Sequence, residues 1–218
     1  MSAQRPIALL GGTFDPIHLG HLRVAWEAAE ALDADVHLLL ANQPPHRPAP
    51  VANVAQRVAV LRAALAGQQR LHLDLRELTR TGPSYSVDTL IEVRAEIGPQ
   101  RSLILLLGAD AFAGLPSWHR WQELFDLAHI VVLTRPGLVA ALGAELQAQV
   151  RAREVAEAEI LATRAAGGVF YLPVTPLDIS ATQIRQLLRD GREPRYLLPD
   201  NVLADPGLLD AYRLGTGN

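Results

Sequence analysis

The chain has 218 residues, 49% of them hydrophobic, and a formal net charge of −3. That suits one α/β domain with a real core and gives no reason to expect a nucleic-acid binder, and no apolar stretch approaches the ~20 residues of a bilayer span. There is no cysteine and all 20 basic residues are arginine, which excludes disulfides, thiol nucleophiles, thiolate metal sites, a P-loop lysine, a Schiff base and an adenylyl-lysine intermediate.

The first apolar run, Ile7-Ala8-Leu9-Leu10, reads as a buried strand. It enters Gly11-Gly12-Thr13-Phe14-Asp15-Pro16-Ile17-His18-Leu19-Gly20-His21, a glycine turn leading into a helix over 19–31. The first amides of a helix lack internal partners and carry partial positive charge, so such a turn suits phosphate. Residues 36–40 read as a second strand, followed by a proline-rich loop, Ala41 to Pro48. Val54, Val58, Leu61 and Leu65 mark a helix over 53–66. Residues 71–75 alternate like a strand, 82–86 form a loop, and Ser86 reads as the cap of a helix beginning near Val87. The run 103–107 is the most apolar and predicts a central strand buried on both faces, with Gly108-Ala109-Asp110 at its end.

Residues 117–128 read as a helix containing Trp118 and Trp121, and 130–133 as a strand closed by Thr134-Arg135-Pro136-Gly137. The Ala-, Glu-, Gln- and Arg-rich stretch 138–166 favours helix with a thin apolar stripe. Within it, 142–168 reads as a solvated helical insertion, with a surface arm or a homo-oligomer contact as its functional alternatives. A last strand covers 169–172, and a helix follows from Ala181 to Asp190. Strands alternating with helices imply a doubly wound, Rossmann-like parallel sheet in a single domain over 1–218 with a small C-terminal helical part. Ligands bind such sheets beyond the carboxyl ends of the strands. The segments 11–21, 42–47, 82–86, 108–110, 134–137 and 178–185 all fall there.

His18 and His21 share one face of a helix start, where they suit a phosphate chain better than a metal, since no third ligand has matching spacing. Asp110 fits either ribose hydroxyls or a helix cap. Trp118 fits either a stack on a flat heterocycle or helix packing, and Trp121 is the expected core residue. The glycine turn matches neither G-x-G-x-x-G nor G-K-[ST].

The turn 11–21 does resemble the signature of the HxGH nucleotidyltransferase superfamily. Ile179-Ser180-Ala181-Thr182-Gln183-Ile184-Arg185 resembles its second signature, I-S-x-T-x-I-R. Pro44-Pro45-His46-Arg47, the run Pro83 to Leu90, Gly108-Ala109-Asp110 leading into Leu115-Pro116-Ser117-Trp118, and Arg135-Pro136-Gly137 are similar to motifs of the bacterial nicotinate-nucleotide adenylyltransferases. The resemblance implies transfer of the adenylyl group of ATP, with Mg²⁺ on its phosphates, to nicotinate mononucleotide, without a covalent enzyme intermediate. It implies ATP contacts from Gly11, Gly12, Thr13, Phe14, His18, His21, Gly108, Asp110, Ile179, Ser180, Thr182 and Arg185. His18, His21 and Arg185 are the expected catalytic groups.

For the acceptor it implies Asn42, with His46, Arg47 and Arg135 near its phosphate, Trp118 on its pyridine ring, and amides near Ser86 and His119 on its carboxylate. Arg47 stands where the family usually has lysine, Ala181 where it has serine, and His119 where tyrosine is frequent. The rival reading is a sister adenylyltransferase acting on phosphopantetheine or nicotinamide mononucleotide, and a third is a binding module that lost catalysis. The N-terminus lacks a signal-peptide apolar core, so a soluble, cytoplasmic protein without membrane or nucleic-acid partners is expected.

Overall fold

The structure, a computed structural model, describes residues 4–42, 49–80, 82–135 and 141–213. Six parallel strands run in the order β3-β2-β1-β4-β5-β6. They are β1 (Ile7–Gly12), β2 (Asp35–Leu40), β3 (Leu71–Asp74), β4 (Leu103–Gly108), β5 (His129–Thr134) and β6 (Val169–Pro173). Parallel neighbours need crossovers. Helices α1 (Leu19–Ala31), α2 (Val54–Ala64) and α3 (Ser86–Ile97) link the strands from β1 through β4. Short α4 (Ala109–Ala113) and α5 (Leu124–Leu127) join β4 to β5, α6 (Ala144–Arg153) and α7 (Glu159–Ala162) join β5 to β6, and α8 (Ala181–Arg189), α9 (Asp200–Leu203) and α10 (Asp210–Arg213) close the chain.

The central strands are apolar on both sides, as a sheet covered by two helix layers requires. Ala8, Val36, Leu38, Ile104 and Leu106 pack with α1, α2 and α8 on one face. Leu9, Leu105, Leu107, Ile130 and Val132 pack with α3, α5 and α6 on the other. Helix α1 buries Ala25, Ala28 and Ala29, small residues that let it lie close to the sheet. Right-handed crossovers explain the layering: winding from β1 to β3 puts α1 and α2 on one face, and winding from β4 to β6 puts α4, α5 and α6 on the other, while Leu161 of α7 joins the first cluster.

Three sequence expectations change. The span 117–128 is not one helix, because Trp118 is extended and Arg120 left-handed (φ 52°) between two short 3₁₀ turns. Ser86 does not cap α3; it is the first helical residue, and Tyr85 occupies the cap without a side-chain hydrogen bond. The stretch 142–168 is not merely solvated, since it supplies α6 and α7 of the β5–β6 crossover and buries Leu146, Val150 and Leu161. A stripe as thin as Leu142, Leu146 and Val150 suffices because the helix lies flat on a face already made apolar by Trp121 and Phe125. Leu146→Ala therefore costs about 2–5 kcal/mol in urea denaturation, whereas Gln147→Ala on the exposed side of α6 stays within about 0.5 kcal/mol.

Candidate active site

Strands β1 and β4 are paired only as far as Leu10 and Leu106. Beyond that point Gly11 and Gly12 stay with Leu39 and Leu40 of β2, while Leu107 and Gly108 stay with Val132 and Leu133 of β5. The sheet thus splits at its topological switch point, where such folds take their ligands. A Cβ at Gly11 or Gly108 would meet nothing within 4 Å, so both walls of the split are bare backbone. Gly12 is glycine for a different reason: a Cβ there would lie 2.7 Å from the Phe14 ring. Phe14 itself is left-handed (φ 47°), which turns the chain sharply out of β1.

The turn carries unpaired donors into the split. Among the described residues, the amides of Thr13 and Phe14 have no backbone partner. At the start of α1, Leu19 N–H donates to the Leu197 carbonyl and those of His21 and Leu22 to the His18 carbonyl, which leaves the Gly20 amide open. His18 is the N-cap residue of α1, yet its side chain makes no capping bond. Its ring instead stacks on His21, with centroids 3.7 Å apart, and the Phe14 ring meets His21 edge-on at 5.2 Å. Nδ1 of each imidazole is buried without a partner among the described residues, which leaves Nε2 as the ring nitrogen that can meet a ligand.

Helix α8 starts beside this pair. A Cβ on Gly20 would lie 3.0 Å from His18 Nδ1 and 3.6 Å from Ile179 Cβ. The glycine between the two histidines therefore lets the second motif pack against the first. Ser180 caps α8 by accepting from Gln183 N–H at 3.1 Å, so its hydroxyl oxygen already has a structural role. The amides of Ala181 and Thr182 have no backbone partner among the described residues. Arg185 reaches across to the turn, donating to the Asp15 carbonyl at 2.7 Å and to Thr182 Oγ1 at 3.2 Å. Two helix N-termini thus converge on one cleft, an arrangement that favours a polyphosphate.

Comparison with known proteins agrees with that geometry. A cytidylyltransferase-like family model matches residues 9–187. A Pseudomonas syringae protein named "Probable nicotinate-nucleotide adenylyltransferase" is 47% identical over 211 residues, 96% of this chain and 94% of its own. A Halorhodospira halophila protein of the same name is 51% identical over 199 residues, 91% of each chain. The chain belongs to the nicotinate-nucleotide adenylyltransferase family. The fold is shared with a Plasmodium falciparum nicotinic acid mononucleotide adenylyltransferase solved with NaAD, at TM-score 0.65 and 14% identity over 97% of both chains.

On the other wall, Asp110 is exposed in the first turn of α4 and its carboxylate makes no hydrogen bond among the described residues. Gly108, not Asp110, is the N-cap, which removes the capping alternative. Further out, the Tyr85 and His119 rings lie 4.4 Å apart, which joins the two segments that carry Ser86 and Trp118. The Ser86 and Val87 amides open α3 without a backbone partner among the described residues. Trp118 is half-buried against the second core, and Trp121 is buried as expected. Asn42 and Arg135 sit after the carboxyl ends of β2 and β5. His46 and Arg47 lie outside the described residues.

Three buried residues that the sequence reading passed over stand behind the turn. Asp15, 7% exposed, accepts from Val51 N–H at 2.8 Å and Ala52 N–H at 3.0 Å. Arg57, 1% exposed, donates to the Thr13, Ala41 and Asn42 carbonyls. Tyr212 of α10 is buried near Asp15, and that burial holds its hydroxyl neutral. Arg57 did leave a signal: it shares a helical face with Val60, Leu61 and Ala64, where an apolar residue is the ordinary choice.

Burial holds the His18 imidazole down at about 4 and, with the added repulsion of His18, that of His21 at about 3, from an ordinary 6.5. Unfolded histidines take up a proton near pH 6.5 and the folded pair does not, so stability is full above that pH. It is lost as pH falls from 6.5 toward 4 for His18 and toward 3 for His21. At pH 5 each ring contributes a loss of about 2 kcal/mol. Urea denaturation at pH 7 and pH 5 should show a smaller drop for His21→Asn than for the native chain.

Proposed function

We propose that this chain transfers the adenylyl group of ATP to nicotinate mononucleotide, giving nicotinate adenine dinucleotide and pyrophosphate. The observation that carries the reading is the meeting of the α1 and α8 N-termini beside the split between β1 and β4. It makes a site for a triphosphate, and the acceptor binds on the side of α3.

The acceptor phosphate is ionised near neutral pH, so the reaction needs no strong general base. It needs in-line placement and stabilisation of charge on the α-phosphate and the leaving pyrophosphate. The Thr13, Phe14 and Gly20 amides and the Nε2–H groups of His18 and His21 face that charge from one side. The α8 amides, Thr182 and Arg185 face it from the other. Two neutral stacked imidazoles suit this role, because they donate without holding the ATP ground state too tightly. Asp110 takes the ribose hydroxyls. ATP enters as its magnesium complex. Among the described residues no group of three or more acidic or histidine side chains could cage a metal, and Mg²⁺ commonly keeps its waters and binds through substrate phosphates.

The start of α3 favours the acid over the amide. The open Ser86 and Val87 amides and the positive end of a helix 12 residues long attract a carboxylate. Trp118 covers the ring, and Asn42, His46, Arg47 and Arg135 serve the acceptor. A phosphopantetheine acceptor would have no use for that stacking face.

Pyrophosphate release with ATP, Mg²⁺ and nicotinate mononucleotide should exceed that with nicotinamide mononucleotide or phosphopantetheine at equal concentration. The absence of turnover with either pyridine mononucleotide would refute the assignment. His18→Ala should lower kcat by about 10²–10³-fold with a much smaller change in the KM for ATP. Trp118→Ala should raise the KM for the mononucleotide and leave that for ATP nearly unchanged.

A further inference from the structure

The turn that receives ATP and Asn42, an expected acceptor contact, are held together by two buried side chains. The Arg57 guanidinium donates to the Thr13 carbonyl at 3.0 Å, to the Ala41 carbonyl at 2.8 Å and to the Asn42 carbonyl at 3.0 Å. Thr13 belongs to the ATP turn, while Ala41 and Asn42 begin the loop leaving β2. The Asp15 carboxylate, also in the turn, accepts from the Val51 and Ala52 amides, where that loop ends. Residues 41–42 and 51–52 are thus tied to the same five residues, 11–15. Arg185, from the second motif, donates to the Asp15 carbonyl at 2.7 Å and joins the brace from behind.

We infer that Arg57 and Asp15 are positioning residues that fix Asn42, at the carboxyl end of β2, and the start of α2 relative to the ATP turn, so that the acceptor phosphate meets the α-phosphate in line. The inference rests on the adenylyl-transfer reading above. A buried cation is an expensive way to fill space, since desolvation opposes its charge. A leucine at position 57 would pack on the stripe of Val60, Leu61 and Ala64 but would leave three carbonyls without a donor. The planar fork of arginine spans carbonyls from two separate segments at once, which a lysine ammonium does not reproduce. A displacement of about 1 Å between reacting groups costs on the order of 100-fold in rate, so small slack in this brace reads out in turnover.

Arg94 supplies the control. It too is an arginine satisfied by main-chain carbonyls, those of Gly98, Arg101, Leu127 and Ala165, but at the amino ends of the strands, away from the cleft. Arg57→Lys and Arg94→Lys should both lower the melting temperature. At a temperature where each is folded, Arg57→Lys should lower kcat by about 100-fold with both KM values within about 3-fold. Arg94→Lys should leave kcat within about 2-fold of native, as expected for a residue that only holds the fold. Should Arg57→Lys fail to fold, Asp15→Asn tests the other half of the brace, with the same split expected between kcat and KM. A folded variant with native kcat, or a defect confined to the KM for ATP, overturns the inference. Native protein assayed alongside keeps the two failures apart, because absence of turnover there refutes the assigned reaction rather than the brace.

Discussion

A parallel sheet wound in both directions has one seam where the crossovers leave on opposite faces, and the candidate active site of this protein lies at that seam. Strands β1 and β4 part after Leu10 and Leu106, and neither helix layer covers the gap. Apolar side chains cannot fill it, because the strand ends there are glycine at Gly11, Gly12 and Gly108. What lines it instead is main chain: open amides from the turn after β1, from α1 and from α8. These groups are fixed by the fold before any ligand arrives, so little reorganisation is required when phosphate charge enters.

Much of this was legible in the residues. Six apolar runs separated by helical stretches gave six parallel strands, and the described parts of the motif segments lie beyond their carboxyl ends, because periodicity and turn glycines report local geometry directly. The legible part of the site was the part made of main chain and short motifs. What escaped was long-range or unusual in form. The kink at Trp118 and Arg120 depends on a left-handed non-glycine residue that no local pattern announces. The cap of α3 moved one residue because Tyr85 does not cap by side chain, so the usual serine signal misled. Asp15 and Arg57 stand 42 positions apart in sequence numbering and their partners lie on other loops, so only the fold shows that they act together. The polar residue at position 57 on an apolar stripe was the one hint available.

Arginine does two separable jobs in this lysine-free chain. Near the cleft, Arg185 donates to the Asp15 carbonyl. Inside the protein, Arg57 and Arg94 collect carbonyls that loops leave unsatisfied, and desolvation lowers the proton affinity of both without discharging them. The geometry of the side chain explains the choice. A fork with five N–H groups can serve several carbonyls in one plane, so each buried arginine replaces several separate turn contacts.

The two signatures end at Arg185, but the cleft does not. The Leu197 carbonyl takes the first amide of α1, and α10 brings Tyr212 against the turn from behind. A chain stopped after α8 would hold every residue that marks it as a nucleotidyltransferase, with the start of α1 uncapped and Asp15 opened to water. The turn after β1, among the first segments made, thus draws part of its support from residues among the last. The motifs therefore identify the enzyme long before the polypeptide has become one.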